Sequence, residues 1–569
     1  NFQKSRIQFS RKKSQQSVNP LKKERKLMFC EQCEQTASGN GCHQWGACGK
    51  SPEVNAVQDL LVYCLRGLAS VVLKAKEAAI STREADIFTC ESLFATMTNV
   101  NFDQRRFTDY IQRCLEIREN LKAQLGSLDW SALANYQPNF NESLVSQGQE
   151  VSLELIEKVQ DLDIFSLKLT AIYGVKGLAS YTFHAQELGQ EDDSVYQVIQ
   201  ETLAAIDRSD LHLNDWVAIC LKVGDANLRA MELLDQGHTE TYGHPIPTNV
   251  PLNPRLGKAI LVSGHDIKQL AALLAQTANT GITVYTHGEL LPAHGYPKLK
   301  EKYPHLYGHY GTAWQNQTKE FAKFPGAIVL TTNCLMPPHE NYESKLFTLG
   351  PVGYAHINRL ETVDGAIDFS PVIAKAQSLP GFTEISEPRQ VMVGFAHNTV
   401  LSVADTVVNA LKQGKIRHFF LVGGCDGAKP DRNYYTEFVE QVPEDCIVLT
   451  LACGKFRFFD KQLGSIEGLP RLMDVGQCND AYSAIKIALG LANAFNVSVN
   501  EIPLSLIISW YEQKAIAVLL TLLHLGIQNI RLGPTLPAFI SPNVLKFLSD
   551  TYHLQPITTP AKDLAACLG

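Results

Sequence analysis

Between Phe419 and Cys478 the chain places a cysteine in the same kind of position three times, and no other feature constrains the fold as much. Phe419-Phe420-Leu421-Val422 is an apolar run that stops at Gly423-Gly424-Cys425-Asp426-Gly427; Ile447 to Leu451 is another that stops at Ala452-Cys453-Gly454. Short runs of this kind, apolar throughout and closed by turn residues, predict buried parallel strands. Cys478 follows Asp474-Val475-Gly476-Gln477 and opens a helical run from Ala481 to Ala494, which puts its thiol near a helix N-terminus. In an open α/β sheet ligands gather at the carboxyl ends of strands, and helix N-termini stabilise thiolates. Three converging thiolates suit a soft metal or an iron–sulfur cluster. A single buried cysteine reads as a small packing residue; three at equivalent positions reverse that preference.

An earlier stretch echoes the pattern with other donors. Leu261-Val262-Ser263-Gly264-His265-Asp266 matches Leu421-Val422-Gly423-Gly424-Cys425-Asp426, with His265 in place of the cysteine. The strand Ile282 to Tyr285 ends at Thr286-His287-Gly288-Glu289, Ala327 to Leu330 leads into Thr331-Thr332-Asn333-Cys334, and Leu504 to Ile508 leads into Ser509-Trp510-Tyr511-Glu512-Gln513-Lys514. Taken alone, Glu512 reads equally as the cap of the helix that follows it, and His265 as a satisfied polar residue. Together these strand ends predict two similar doubly wound α/β domains that aim metal-capable side chains at one another.

A separate cysteine group lies near the start. Cys30, Cys33, Cys42 and Cys48 form a C-x2-C-x8-C-x5-C pattern, with Gly39, Gly41, Gly46 and Gly49 available for tight turns. Four cysteines this close suit a [4Fe–4S] cluster or a structural zinc ion, and zinc's usual pair of C-x2-4-C knuckles is only half present. From Ser51-Pro52-Glu53, a helix start, amphipathic helices fill the chain to about Gly237. Within them Tyr63-Cys64-Leu65-Arg66-Gly67-Leu68-Ala69-Ser70 recurs as Tyr173-Gly174-Val175-Lys176-Gly177-Leu178-Ala179-Ser180, which suggests a duplicated helical bundle. A proline-rich linker from Gly243 to Pro254 marks the change to alternating strands and helices. The expected organisation is therefore a basic extension over 1–27, a helical domain over 28–243, and α/β domains over 244–395 and 396–569.

Charge narrows the class of partner. Residues 1–27 carry nine Lys/Arg against Glu24, leaving 42 basic and 57 acidic residues in the body. An acidic body argues against a nucleic-acid binder and favours small molecules and electron carriers. No run approaches the 18 apolar residues of a membrane span, so no membrane partner is expected. Fourteen cysteines in so long a chain without a secretory h-region predict a reducing compartment rather than a disulfide framework. The extension is expected to lack order; cytoplasm is the first expectation for location, and an organelle matrix the second if that extension is a transit segment.

These motifs resemble the hybrid-cluster proteins, also called prismane proteins or hydroxylamine reductases. The resemblance runs from Met28 to the C-terminus and rests on Met28-Phe29-Cys30 with its three following cysteines, Ser263-Gly264-His265-Asp266, Tyr285-Thr286-His287-Gly288-Glu289, Thr332-Asn333-Cys334, Gly423-Gly424-Cys425-Asp426-Gly427, Ala452-Cys453-Gly454-Lys455, Gly476-Gln477-Cys478-Asn479-Asp480 and Trp510-Tyr511-Glu512-Gln513-Lys514. It implies a helical bundle followed by two Rossmann-like domains, a [4Fe–4S] cluster on Cys30, Cys33, Cys42 and Cys48, and a hybrid [4Fe–2O–2S] cluster held by His265, Glu289, Cys334, Cys425, Cys453, Cys478 and Glu512. The cysteine matching Cys425 is a persulfide in the family. The implied reaction is reduction of hydroxylamine to ammonia and water; the alternative is a nitric oxide reductase or an NO-responsive redox protein using the same cluster, and the implied electron donor is ferredoxin-like or an NADH-dependent reductase. Glu289, Cys425 and Glu512 are the candidate catalytic groups at the cluster, with Lys514 a candidate proton source whose plainer role is a charge near a helix start. The three-domain plan also resembles the nickel-dependent carbon monoxide dehydrogenases.

Overall fold

The computed structural model describes residues 28–36, 41–153, 161–363, 365–429 and 432–569. The basic segment 1–27 and Gly39 lie outside them. Among the described residues the first region contains seven helices: α1 (Pro52–Glu77), α2 (Arg83–Ala95), α3 (Gln104–Leu125), α4 (Leu144–Val151), α5 (Leu162–Glu187), α6 (Asp193–Ala205) and α7 (Leu213–Tyr242). Helix α1 begins as its sequence requires: Ser51 accepts a hydrogen bond from the Val54 amide, with Pro52 in the first turn. Its periodic apolar residues Val57, Leu60, Leu61, Leu65, Leu68 and Val72 are wholly buried, worth roughly 1.5–3 kcal/mol each. By length and composition α1 is apolar enough to cross a membrane, yet 78% of that window is buried inside the protein, the behaviour of a core helix. The final helix runs past Gly237 to Tyr242 and stops at Gly243 (φ 83°). Gly237 is a packing residue, since a Cβ there would meet Leu188 at 2.8 Å.

The octapeptide echo has a structural counterpart. It lies in α1 and α5, each 26 residues long and each followed by a 13-residue helix, α2 or α6. Its glycines serve different neighbours. A Cβ at Gly67 would strike the Leu133 carbonyl oxygen at 2.6 Å, whereas one at Gly177 would strike that of Gln513 at 2.4 Å. The second copy has thus become a seat for α8 (Gln513–His524), the helix that follows Glu512.

Two six-stranded parallel sheets follow. The first contains β1 (Ala259–Ser263), β2 (Thr283–His287), β3 (Leu306–His309), β4 (Ala327–Leu330), β5 (Leu346–Thr348) and β6 (Asn358–Arg359), in the order β3-β2-β1-β4-β5-β6. The second contains β7 (His418–Gly424), β8 (Cys446–Leu451), β9 (Leu472–Gly476), β10 (Leu504–Ser509), β11 (Ile530–Gly533) and β12 (Gln555–Pro556), in the order β9-β8-β7-β10-β11-β12. The two orders are the same doubly wound topology, whose direction reverses between the first and fourth strands and opens a crevice at their carboxyl ends. The central strands are buried on both faces, as in β1, β2, β4 and β8. That is why their sequences are continuous apolar runs rather than alternating ones.

Candidate metal centre

Both crevices are filled by the residues that follow the strands. His265 follows β1 and Cys334 follows β4; in the second sheet Cys425 follows β7 and Glu512 follows β10. Gly264 and Gly424, with φ of 116° and 111°, make the equivalent turn in each sheet. A Cβ would meet the Thr331 hydroxyl at 2.5 Å in the first and the Ser509 carbonyl oxygen at 2.2 Å in the second, so only glycine lets the chain turn there. The neighbouring strands repeat the device. Gly288 and Ala452, φ 57° and 61°, precede Glu289 and Cys453. Alanine in that region carries backbone strain of order 1–3 kcal/mol, retained where the turn aims Cys453 inward.

The structure brings all seven strand-end donors to one buried place between the sheets. Donor atoms of His265, Glu289 and Cys478 lie within 4.8 Å of one another, and His265 Nε2 is 3.8 Å from Glu289 Oε2. The Cys478 amide donates to Glu289 Oε2 at 2.9 Å. Gln477 clamps the seam: its Nε2 donates to the His265 and Glu289 carbonyl oxygens at 2.9 and 2.7 Å, joining the second sheet to two loops of the first. On the other side, Cys334, Cys425 and Cys453 pack into one buried cluster with Trp314 and Tyr511, and Cys425 Sγ lies 3.7 Å from Glu512 Oε1. Lys514 Nζ donates to Asn333 Oδ1 at 3.0 Å and lies 3.3 Å from His265 Nε2 and 3.7 Å from Glu512 Oε1. Glu512 also caps α8, accepting from the Lys514 amide at 2.8 Å, so the capping reading and the pocket reading hold together.

The electrostatics of the pocket fit bound cations. Burial, then the neighbouring Glu512, Cys334 and Cys478, pushes the Cys425 thiol well above its ordinary range. Cys334 and Cys453 are raised in the same way, Cys478 is pushed up to about 12 chiefly by burial, and burial lifts Glu289 to about 6. Glu289 Oε1 is buried with no hydrogen-bond partner. Burial and the Lys514 ammonium hold His265 far below its usual range, as the neutral imidazole that ligates metals. Burial opposes the Lys514 charge, but Cys478, Glu512, Cys425 and Cys334 outweigh it and raise its pKa. Crowded thiols and carboxyls, with the ammoniums of Lys514 and Lys455 beside them, are what metal cations would relieve. Mixed sulfur, nitrogen and oxygen donors suit iron carrying both soft and hard positions.

The N-terminal cysteines form a second, more local group. Cys30 and Cys42 exchange backbone hydrogen bonds of 3.1 and 2.8 Å. Cys33 is raised by burial and then by Cys48, Cys30 and Cys42, which places all four thiols together. Gly41 and Gly49 adopt positive φ as turn residues, and Gly46 does not. Cys48 alone is partly exposed. Tyr511 lies between the groups, acted on by Cys33 and Cys48 on one side and by Cys334 and Cys425 on the other. Its ring stacks on Trp314 with centroids 4.7 Å apart, and its carbonyl oxygen accepts from the Glu34 amide at 2.9 Å.

Several neighbours carry no sequence signal of their own: Gln477 and Tyr511 lie inside motifs marked by their cysteine and glutamate, and Tyr181 lies in an ordinary helical stretch. Two cavities meet the pocket. One of about 110 Å³ is mainly apolar and runs from Cys425, Cys478 and Lys514, past Ala481, Leu506 and Ile508, to the exposed Asn500 and Asn529. The other is small and polar, lined by His184, His238, Asp266, Gln477 and Lys514.

A family model described as Prismane/CO dehydrogenase matches residues 28–565. The chain belongs to that family. A hydroxylamine reductase of Microcystis aeruginosa is 99% identical over 542 residues, covering 95% of this chain and all of that protein. One from Rippkaea orientalis is 77% identical and one from Syntrophobacter fumaroxidans 58% identical, with the same coverage. Among solved structures, carbon monoxide dehydrogenase IV from Carboxydothermus hydrogenoformans aligns with a TM-score of 0.54 at 15% identity, covering 95% of this chain and 92% of that one. At that identity the likeness speaks for the fold: a helical region followed by two parallel-sheet α/β domains. Prismane-family proteins carry iron–sulfur clusters.

Proposed function

We propose that the chain reduces hydroxylamine with two electrons and two protons to ammonia and water, at a hybrid [4Fe–2O–2S] cluster held by His265, Glu289, Cys334, Cys425, Cys453, Cys478 and Glu512. The observation that carries the reading is the convergence of these seven donors, of mixed hardness, from the matching strand ends of two sheets. The whole-length likeness to proteins named hydroxylamine reductase supports the substrate. Cys30, Cys33, Cys42 and Cys48 would hold a [4Fe–4S] cluster, which would supply electron transfer from an external ferredoxin-like or NADH-dependent donor, and Cys48 is the partly exposed thiol of the four.

The hybrid cluster supplies electrons and Lewis-acid iron. The chain's own groups do the rest. Cleaving the N–O bond expels a hydroxyl that leaves far more easily once protonated, and general acids typically contribute 10²–10⁴-fold to such steps. Lys514 Nζ, hydrogen-bonded to Asn333 and 3.3 Å from His265 Nε2, is the ammonium assigned to give that proton. Glu289 and Glu512, with Cys425 beside the latter, are the groups able to hold a proton or shift during turnover. Burial of the pocket excludes bulk water.

Nitric oxide is the second reading, and the apolar cavity favours it: a small neutral diatomic partitions into such a channel better than hydroxylamine does. Two nitric oxide molecules with two electrons and two protons give nitrous oxide and water. Anaerobic iron and sulfide analysis with EPR, followed by steady-state turnover of both substrates by reduced protein, tests both readings. Two clusters and hydroxylamine turnover are expected. Stoichiometric zinc alone would remove both.

A further inference from the structure

A second group of metal-capable side chains lies outside the seven strand-end donors, where the helical region meets the first sheet. His184 and Glu187 stand one turn apart near the end of α5, and Asp266 caps the helix Ile267–Thr277 that follows β1. Asp266 uses Oδ1 for the cap, accepting from the Gln269 amide at 2.9 Å. Its Oδ2 lies 3.9 Å from His184 Nδ1, which is 3.6 Å from Glu187 Oε2, and one donor atom from each of the three lies within 4.8 Å of the other two. The imidazole is too far from either carboxylate for a hydrogen bond. The spacing is instead close to that of ligands sharing an ion, since donors about 2.0–2.2 Å from one centre stand roughly 3–3.6 Å apart.

Two unpaired atoms point the same way. Glu187 Oε2 is buried without a hydrogen-bond partner. His238 of α7, 4% exposed, lines the same small polar cavity as His184 and Asp266, and its Nδ1 is likewise buried and unpartnered. Buried polar atoms are ordinarily paired, and a bound ion is one of the few things that leave them without a protein partner. The surroundings steady the group and leave its donors free. Phe94 and Phe183 meet the His184 ring edge-on, with centroids at 5.4 and 5.7 Å. Of the ammoniums on the cavity, Lys268 donates to the Glu187 carbonyl oxygen at 2.6 Å and Lys514 to Asn333.

Two carboxylates match the charge of a divalent ion, and buried charges are stable when they coordinate one. An imidazole beside them favours a first-row transition metal or zinc over magnesium or calcium, which take oxygen ligands. Partial exposure of His184 and Glu187 gives the ion an entry path.

We propose that His184, Glu187 and Asp266 form a binding site for one divalent cation of the zinc or manganese kind, which ties the helical region to the first α/β domain. None of the three belongs to the strand-end donors or to the N-terminal cysteines, so the site stands or falls apart from the clusters.

The test is an anaerobic titration of holoprotein, freed of loose metal on a chelating resin, with manganese(II), the free ion being counted by its EPR signal and zinc(II) added as competitor. Native protein should take up one manganese ion per chain and release it to zinc. Glu187→Gln, which keeps the shape and removes a charge, and His184→Ala should each lose that equivalent while iron and sulfide per chain stay at native levels. Uptake that survives both substitutions is adventitious and overturns the proposal. So does native protein that takes up neither metal, in which case Glu187 and Asp266 share a proton instead of an ion. Should both variants lose iron, electron spin-echo modulation of manganese bound to the native protein decides: coupling to an imidazole nitrogen is expected, and its absence overturns the site.

Discussion

The two thiol groups of this protein are built in opposite ways. Cys30, Cys33, Cys42 and Cys48 lie within one short loop, closed by the Cys30–Cys42 backbone pair, with one thiol partly open to solvent. The strand-end group draws on seven separate loops from two sheets, and no two of its donors are neighbours in the chain. A local site takes all its donors from one stretch of chain, even though Gln32 and Glu34 of that stretch are tied to Gln513 and Arg432. A dispersed one exists only when both sheets are docked, which buries it, mixes its donors and lets Gln477 of one sheet clamp the loops of the other. The first arrangement suits passing electrons on near a surface, the second binding and reducing a small molecule.

Substitution can break this contrast in either direction. Cys453→Ala should show the largest effect, abolishing hydroxylamine turnover and removing or remodelling the hybrid cluster while leaving the N-terminal EPR signal. Unchanged hydroxylamine reduction in that protein would rule out the strand-end pocket as the catalyst. Cys33→Ala should do the converse: loss of the N-terminal signal and of turnover driven by a protein donor, with turnover driven by a small-molecule reductant largely kept. Equal losses with both kinds of reductant would mean the two groups are not separable in this way.

Smaller changes sharpen it. Glu512→Gln keeps the cap on α8 and an oxygen donor but removes the charge, so turnover should fall about 100-fold, in the lower range for a lost proton-transferring group, with at least part of the hybrid iron retained. Unchanged turnover together with unchanged spectra would leave that carboxylate a purely structural role. Gly177→Val forces α5 from the Gln513 carbonyl and should cost about 1–3 kcal/mol, seen as a lower thermal midpoint, with the hybrid-cluster signal broadened and the N-terminal one less affected. The smallest expected effect is that of deleting residues 1–27. Their composition offers little apolar surface to bury, so iron content and turnover should stay at native levels.

Much of this was readable in the chain. Strands buried on both faces must be apolar throughout, so β1, β4, β7, β8 and β10 stood out as short runs, and the residue just past each one was necessarily at a crevice. The match between Ser263-Gly264-His265-Asp266 and Gly423-Gly424-Cys425-Asp426 appears in space as one turn made twice. Less was readable where a side chain's neighbours come from distant chain. Gly237 looked like the end of a helix, yet the chain continues to Tyr242, because close packing against Leu188 and a terminal turn both select glycine. The repeated octapeptide revealed a duplication but not that its second glycine seats α8.

In the sequence alone, metal-capable side chains stand out at strand ends and in one cysteine-rich stretch, and two like α/β domains follow a helical one. Those are consequences of local chemistry: periodicity, turn preference and the spacing of thiols. Only the docking of the domains shows that the strand ends of the two sheets face each other, that Gln477 stitches them together, that Tyr511 stands between the two thiol groups, and that Tyr181 from the bundle lines a cavity together with Cys478. Such contacts join residues far apart in the chain, and they form when whole buried faces dock, an energy spread over many side chains that no single motif records.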